Sequence, residues 1–279
     1  MEREAKIPIS VIIITFNEQD NIKECIDSVY DWADEIFIVD SGSTDKTLSI
    51  AKQYTDKVYD HPFENYAVQR NWAQSRLPIR NEWIFHLDAD ERVSNELIAE
   101  LKEVVCAEAQ VDGFMVARKT IFRGRCIKHG GHYPVYHMRI FKKSKGRCQD
   151  RLYDQHYEVK GKTIKLKGDI VNIITPDITV WKSRHRKWAY LEAVEILSNK
   201  HRILNVTLKG SPIEKRRWFR YKIYYRMPLF IRAWVYYVYR YVFRLGFLDG
   251  KQGLIFHFLQ GLWYRFLVDY ELCKRIRIH

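Results

Sequence analysis

Hydrophobic and polar positions alternate in blocks over the first hundred residues. Residues 9–15 (ISVIIIT) form a short, continuous β-branched run, the pattern of a strand buried on both faces of a parallel sheet. Residues 17–30 predict a helix with Ile22, Cys25, Ile26 and Val29 on one face. A second buried strand is expected over 35–39 (EIFIV), ending at Asp40. Ser43, Thr44 and Asp45 offer caps for a helix over 46–54, where Leu48, Ala51 and Tyr54 recur at helical spacing. A short strand over 57–59 and a helix over 66–75 follow. A fourth strand over 83–87 (WIFHL) ends at Asp88, and a helix over 94–105 takes Ser94 as N-cap and turns Leu97, Ile98, Leu101 and Val105 inward. This strand–helix alternation predicts an open α/β sheet with right-handed crossovers. Ligands of such sheets bind beyond the carboxyl ends of the strands. That places a site at residues 15–18 (TFNE), 40–45 (DSGSTD) and 88–91 (DADE).

The pattern changes twice further on. Between 111 and 180, strands are expected over 113–118, 138–142 and 163–167, separated by glycine-rich turns. From 181 to 279 the chain reads as long helices rich in Trp, Tyr, Phe, Arg and Lys. The expected organisation is therefore a domain over 1–180, with halves 1–110 and 111–180, and a basic aromatic helical region over 181–279. At 47% apolar and 29% charged residues the chain can bury a core, which excludes global disorder. Its five cysteines are scattered and never form a C-x-x-C pair, which argues against a disulfide scaffold or a structural zinc site and for a reducing cytosol. The charged start lacks the apolar stretch of a signal peptide. Net charge is +13, unevenly placed: residues 1–180 carry 26 Lys and Arg against 28 Asp and Glu, residues 181–279 carry 21 against 6. An anionic partner is implied for the last third.

Asp88 and Asp90 leave a buried strand two residues apart. Carboxylates so placed can converge on one hard cation, and Mg²⁺ or Mn²⁺ held by one or two carboxylates completes its shell with water and phosphate oxygens. An isolated D-x-D arises often by chance, and acidic residues also cap helices. Here the preceding apolar strand and following helix favour a cation that grips a diphosphate. Asp40 can accept from a base N–H or a ribose hydroxyl, or simply cap its turn. Thr15 and Glu18 occupy the same topological place. The glycines fit neither G-x-G-x-x-G nor G-x-x-x-x-G-K-[ST], so dinucleotide and P-loop readings lack their anchor.

These segments resemble a known family. SVIIITFNE (10–18), EIFIVDSGSTDKT (35–47), QRN (69–71) and WIFHLDADERV (83–93) are similar to family 2 glycosyltransferases of the GT-A fold, closest to their lipopolysaccharide-core β-glucosyltransferase-like subgroup. The resemblance continues through FRGRCIKHGGHYPVYHMRIFKK (122–143), which looks like that subgroup's acceptor-side segment, and returns at RLGFLDGKQG (244–253). It implies a UDP-sugar donor, a divalent metal, Mg²⁺ or Mn²⁺, and inversion at the anomeric carbon. By position, it puts Thr15 and Glu18 in the nucleotide pocket and Asp40 at the base, with Gln69, Arg70 and Asn71 nearby. Asp88 would face ribose and metal, and Asp90 would bind the metal. Arg139 would reach the donor phosphates or the acceptor, a role that suits the guanidinium fork.

Inverting transfer needs a base on the acceptor side. The subgroup usually shows an aspartate followed by a His-Glu pair. In QDRLYDQHYEV (149–159) Asp150 matches that aspartate, but the pair reads Asp154-Gln155, and an amide cannot act as a base. Asp154 is the favoured candidate, ahead of Asp150, with His156 a third. The spacing of His129, His132 and His137 matches no metal-ligand pattern and suits loop histidines better.

In the tail, Arg220, Arg226, Arg232, Arg240 and Arg244 interrupt any apolar span over 215–245, and His257, Gln260, Arg265, Asp269 and Glu271 interrupt the apolar stretch 254–272. The tail therefore predicts amphipathic helices lying on an anionic membrane. An ordinary helical subdomain packed on the core is the competing reading, and nucleic acid is disfavoured for want of any accompanying motif. A homo-oligomer through the aromatic tail stays open. The sequence thus points to a cytoplasmic, membrane-peripheral enzyme transferring a sugar to a glycan or lipid-linked acceptor. The alternative is a catalytically silent GT-A homologue that binds membrane or nucleic acid.

Overall fold

A computed structural model describes residues 5–106, 110–151, 155–175, 177–198 and 212–276. The chain divides into two units. One runs to Ile121 and includes Tyr133–Arg151 and Gln155–Ile174; the other includes Phe122–His132 and the chain from Thr175 onward. Segment 122–132, which the sequence grouped with residues 111–180, thus belongs with the helical tail.

The first unit opens β1 (Ile7–Thr15), α1 (Ile22–Tyr30), β2 (Ala33–Asp40), α2 (Thr47–Ala51), β3 (Val58–Asp60), α3 (Tyr66–Arg76) and β4 (Trp83–Asp88). It continues with β5 (Glu91–Val93), α4 (Asn95–Cys106) and β6 (Gly113–Phe122); β7 (Arg125–Ile127) falls in the second unit. Then come β8 (Tyr136–Lys142), β9 (Gly146–Cys148), β10 (Tyr157–Val159) and β11 (Thr163–Ile174). The main sheet runs β3-β2-β1-β4-β8-β6-β11-β5. Its first four strands are parallel, while β8 is antiparallel to both β4 and β6, and β5 is antiparallel to β11.

The β-branched run of β1 is buried on both faces because each face carries its own core. Val11 and Ile13 pack with Ile22, Cys25, Ile26 and Val29 of α1 and with Leu97 and Leu101 of α4. Ile12 and Ile14 pack with Phe37, Val39, and Ala67 and Ala73 of α3 on the other side. Register then sets the site: Thr15 lies opposite Asp40, and Ile14 opposite Asp88.

Helix α1 starts at Ile22, not at residue 17. The amides of Asn17, Glu18 and Gln19 are instead spent on the loop after β2, donating to Ser43 Oγ (2.8 Å), Thr47 Oγ1 (2.8 Å) and Asp45 Oδ2 (3.1 Å). Asn17 adopts φ 51°, and its Oδ1 accepts from the Thr44 amide at 2.8 Å. The two strand-end loops are thereby stitched together. As expected, Ser94 caps α4, accepting from the Leu97 amide at 3.2 Å.

The second unit contains α5 (Ile178–Ser198), α6 (Pro212–Lys222), α7 (Ile231–Val238), α8 (Gly250–His257) and α9 (Tyr264–Ile276). Helix α7 continues into a π-helical turn, Tyr239–Phe243, and α8 joins α9 through another, Phe258–Trp263. Ala189 and Ala193 of α5 pack on Tyr264, Val268 and Leu272 of α9. The interior of this unit is also ionic. Arg265 meets Glu192 at 2.6 Å, and Arg232 pairs with Asp269 with both side chains buried. Among the described residues, no helix is long and apolar enough to cross a membrane.

Candidate active site

The carboxyl ends of β1, β2 and β4 bring Thr15, Asp40 and Asp88 side by side. Asp40 is buried and its carboxylate is fully engaged locally. It accepts from the amides of Gly42 (2.9 Å) and Ser43 (2.7 Å) and from the Ser43 hydroxyl (2.6 Å). Gly42 sits at φ 85°, where a side chain would be strained. Asp40 therefore shapes the loop that follows β2. Gln69, from α3, supports the same loop: its Nε2 donates to Ser41 Oγ (3.1 Å) and its Oε1 lies 2.6 Å from His61 Nδ1. Thr15 is buried, and its hydroxyl has no partner among the described residues. Glu18 Oε2 accepts from Asn21 Nδ2 at 2.6 Å.

Around Asp88 three guanidinium groups face three carboxylates. Arg70 Nη2 donates to Asp88 at 2.9 and 3.3 Å. Arg139, on β8, reaches Asp88 at 3.4 Å and Glu91 at 2.7 Å. Arg118, on β6, lies 3.7 Å from Glu91. Glu91 also accepts the Asp88 amide at 3.0 Å. Burial would raise the Asp88 carboxyl, but Arg70 and Arg139 outweigh it and hold it well below the usual carboxylate range. Burial, with Asp88 beside it, raises Glu91. Asp90 is pushed up to about 7 by burial, then by the charges of Asp88 and Glu91. Its peptide oxygen is anchored by the Ile173 amide of β11 at 2.9 Å.

Beneath this layer His86 is buried between the rings of Phe141 and Tyr157. Burial and the charges of Arg70 and Arg139 bring it down to about 3, so it is neutral at ordinary pH. Asn71 does not turn toward the carboxylates. Its amide exchanges hydrogen bonds with the backbone of Cys148 (2.9 and 3.0 Å), pinning β9 to α3.

The sequence reading missed Arg118, and it placed Glu91 in the site segment 88–91 without giving it a role. Glu91 directly follows D-A-D, but a three-residue strand shows no periodicity, so nothing marked it as inward-facing. Asp150 is exposed between β9 and β10. Asp154 lies outside the described residues. The ring of His156 stacks on His137 at 5.9 Å.

A divalent cation would find two carboxylates at this strand end, not a complete protein ligand set. Among the described residues no three His, Cys, Asp or Glu side chains are arranged to hold a metal by themselves. Yet the Asp90 carboxylate has no hydrogen-bond donor among those residues, and its ionisation is opposed by two neighbouring acids. A hard cation sharing Asp90 and Asp88 with phosphate oxygens would relieve that opposition. The anion has receptors too: Arg70 Nε and Arg139 Nη1 are buried without partners among the described residues.

A parallel sheet with an antiparallel extension and an acidic, arginine-backed strand end defines an α/β nucleotide-sugar transferase fold of the GT-A type. The chain belongs to glycosyl transferase family 2, whose model matches residues 10–156. It is 27% identical to the lipopolysaccharide core biosynthesis glycosyltransferase LpsC of Rhizobium meliloti, over 91% of this chain and 90% of that protein. It is 41% identical to an uncharacterized glycosyltransferase of Rickettsia bellii, over 37% of this chain and 34% of that protein. Among solved structures, the mannosyltransferase PcManGT of Pyrobaculum calidifontis, in complex with GDP-Man and Mn²⁺, superposes with a TM-score of 0.54. That likeness covers 97% of this chain and 88% of the other at 14% identity, and it speaks for the fold alone.

Proposed function

We propose that this protein transfers a hexose such as glucose from a UDP-sugar to a glycan or glycolipid acceptor of the lipopolysaccharide core, with inversion and with Mg²⁺ or Mn²⁺. The acceptor class is supported by the similarity to LpsC along nearly the whole chain. The observation that carries the reading is the Asp88–Asp90 strand end, backed by two buried guanidinium groups with unpartnered nitrogens.

Thr15 offers a buried hydroxyl to the nucleotide, and Asp40 and Gln69 hold the loop against which it lies. Glu18 belongs to the same pocket. Arg70 and Arg139 orient the diphosphate. Asp90 and Asp88 would hold the divalent cation, which, when bound, stabilises charge on the leaving diphosphate as a Lewis acid. A diphosphate arriving with a divalent cation adds little net charge, because the two nearly cancel. A carboxylate of segment 149–159, Asp154 ahead of Asp150, takes the proton of the acceptor hydroxyl. The acceptor oxygen then attacks the anomeric carbon from the face opposite the leaving group, the bond to the diphosphate breaks, and UDP departs. With a lipid-linked acceptor, the enzyme would work at the cytoplasmic face of the membrane, with the basic aromatic unit peripheral to it.

A thermal-shift panel of UDP- and GDP-sugars, with and without Mn²⁺, tests this on wild type and Asp90→Ala. The expected result is a Mn²⁺-dependent rise in melting point with one UDP-sugar, absent in the variant. No rise with any nucleotide would overturn the reading.

A further inference from the structure

Helix α7 and its π-helical extension are amphipathic the wrong way round for a water-soluble surface. Trp234, Val238 and Val242 form one row and Val235, Tyr239 and Phe243 the next, each at a spacing of four. These six side chains are 40% to 73% exposed. The opposite face is buried, and it carries the arginines. Arg232 is closed in by Asp269 and the rings of Tyr224 and Tyr225, at 5.2 and 5.1 Å. Arg240 donates to the Gly130 carbonyl at 2.9 Å. Next along the chain, Leu245, Phe247 and Leu248 are exposed as well.

A contiguous apolar face of this kind marks an interaction surface. We propose that it is a bilayer-insertion face: the helix 231–243 lies in the membrane plane with these two rows in the acyl region. The inference rests on the peripheral-membrane part of the proposed function, and it names the helix and the side chains that enter the acyl region. Charge selects the occupant. Exposed cations flank the helix in sequence, Arg226 before it and Arg244 and Lys251 after it, in a region with 21 basic against 6 acidic residues. A second copy would bring the same positive excess against itself. A leaflet with anionic headgroups meets the cations, and its hydrocarbon meets the rows between them.

The test is flotation of the full chain with vesicles of phosphatidylcholine alone and of phosphatidylcholine doped with phosphatidylglycerol, at low and high salt. Binding to both vesicles is expected, tighter with phosphatidylglycerol and surviving high salt. The variant Val242→Asp/Phe243→Asp changes only exposed positions, so its melting point should match wild type while its vesicle partitioning falls at least about tenfold. Trp234→Phe should remove the quenching by brominated acyl chains that is specific to that ring. Binding that needs phosphatidylglycerol, vanishes in high salt and ignores the double variant would overturn insertion while leaving a peripheral contact standing. No flotation with either vesicle would bring down the membrane reading itself. A lipid-free dimer dissolved by the same variant, seen by light scattering, would assign the face to a second copy and overturn the proposal.

Discussion

Glu91→Gln is the sharpest perturbation of the site's frame. Glu91 is buried, and its two oxygens do separate work: one pairs with Arg139 at 2.7 Å, the other accepts the Asp88 amide at 3.0 Å. Glutamine offers one carbonyl oxygen, so its NH₂ must confront either the guanidinium or the amide, donor against donor. Removing one partner of a buried ion pair costs about 3–5 kcal/mol. Asp88 still lies 3.4 Å from the same Arg139 nitrogen, so the cation is not left wholly uncompensated, and the low end, about 3 kcal/mol, is expected. Urea unfolding of wild type, Glu91→Gln, Arg139→Met and the double variant measures this. The two single losses should exceed the loss in the double variant by about 2 kcal/mol, because the second change no longer breaks a pair. Nucleotide affinity should fall with Arg139→Met alone or combined. If Glu91→Gln stays within about 1 kcal/mol of wild type, or the two changes simply add, the ion pair does not organise the site and the reasoning fails.

Asp90, pushed up to about 7 in the folded chain, binds its proton more tightly there than when unfolded. The folded state therefore holds extra protons between about pH 4 and pH 7, and stability should fall as pH rises through that window. Denaturation midpoints of Asp90→Asn should show less of this decline, and Mn²⁺ with UDP should suppress it in wild type; equal slopes in wild type and variant would refute the assignment. Thr15→Val removes a buried hydroxyl that has no partner, so stability should hold or rise slightly while UDP binding weakens by calorimetry. Gly168→Ala would set a Cβ 2.3 Å from the Leu97 backbone, prying β11 from α4; a loss above about 2 kcal/mol is expected by urea unfolding.

The parallel half of the fold was legible because each strand there is an unbroken apolar run flanked by an amphipathic helix, a signal that tertiary context does not alter. The antiparallel half was less so. Strand β11 extends to Ile174, well past the five residues the pattern suggested; the extension was hidden because its buried positions include the polar Asp169 and Asn172, which break the apolar alternation. Strand β5 is defined only by its partner, Asn172 facing Glu91, which lies 81 positions away in sequence. The site followed the same division. Asp40, Asp88 and Asp90 were marked by ending or leaving apolar strands. Arg118 was invisible, and Glu91 was placed in the segment without a role, because what ties them into the site is a contact across strands distant in the chain. Gln69 and Asn71 were read with the nucleotide pocket from their place in a motif. The structure shows what their amides hold, Ser41 and His61 for one and Cys148 for the other.

The tail shows why counting charges does not describe a surface. Twenty-one basic residues suggest a cationic skin, and the five arginines between the aromatics suggest its anchor points. Two of those five are interior. Arg232 closes the N-terminus of α7 through Asp269, whose other oxygen takes the Phe230 amide at 2.7 Å and so fixes a residue held at φ 66°. Arg240 secures the Gly130 turn, where Gly130 at φ 68° leaves room for the His257 ring that any Cβ would strike. Guanidinium groups buried this way act as internal ties, satisfied by carboxylate, carbonyl and ring faces. With the cations drawn in to make those ties, the apolar side chains of the same helix have nowhere to go but outward. The exposed rows of α7 are thus the complement of its buried arginines.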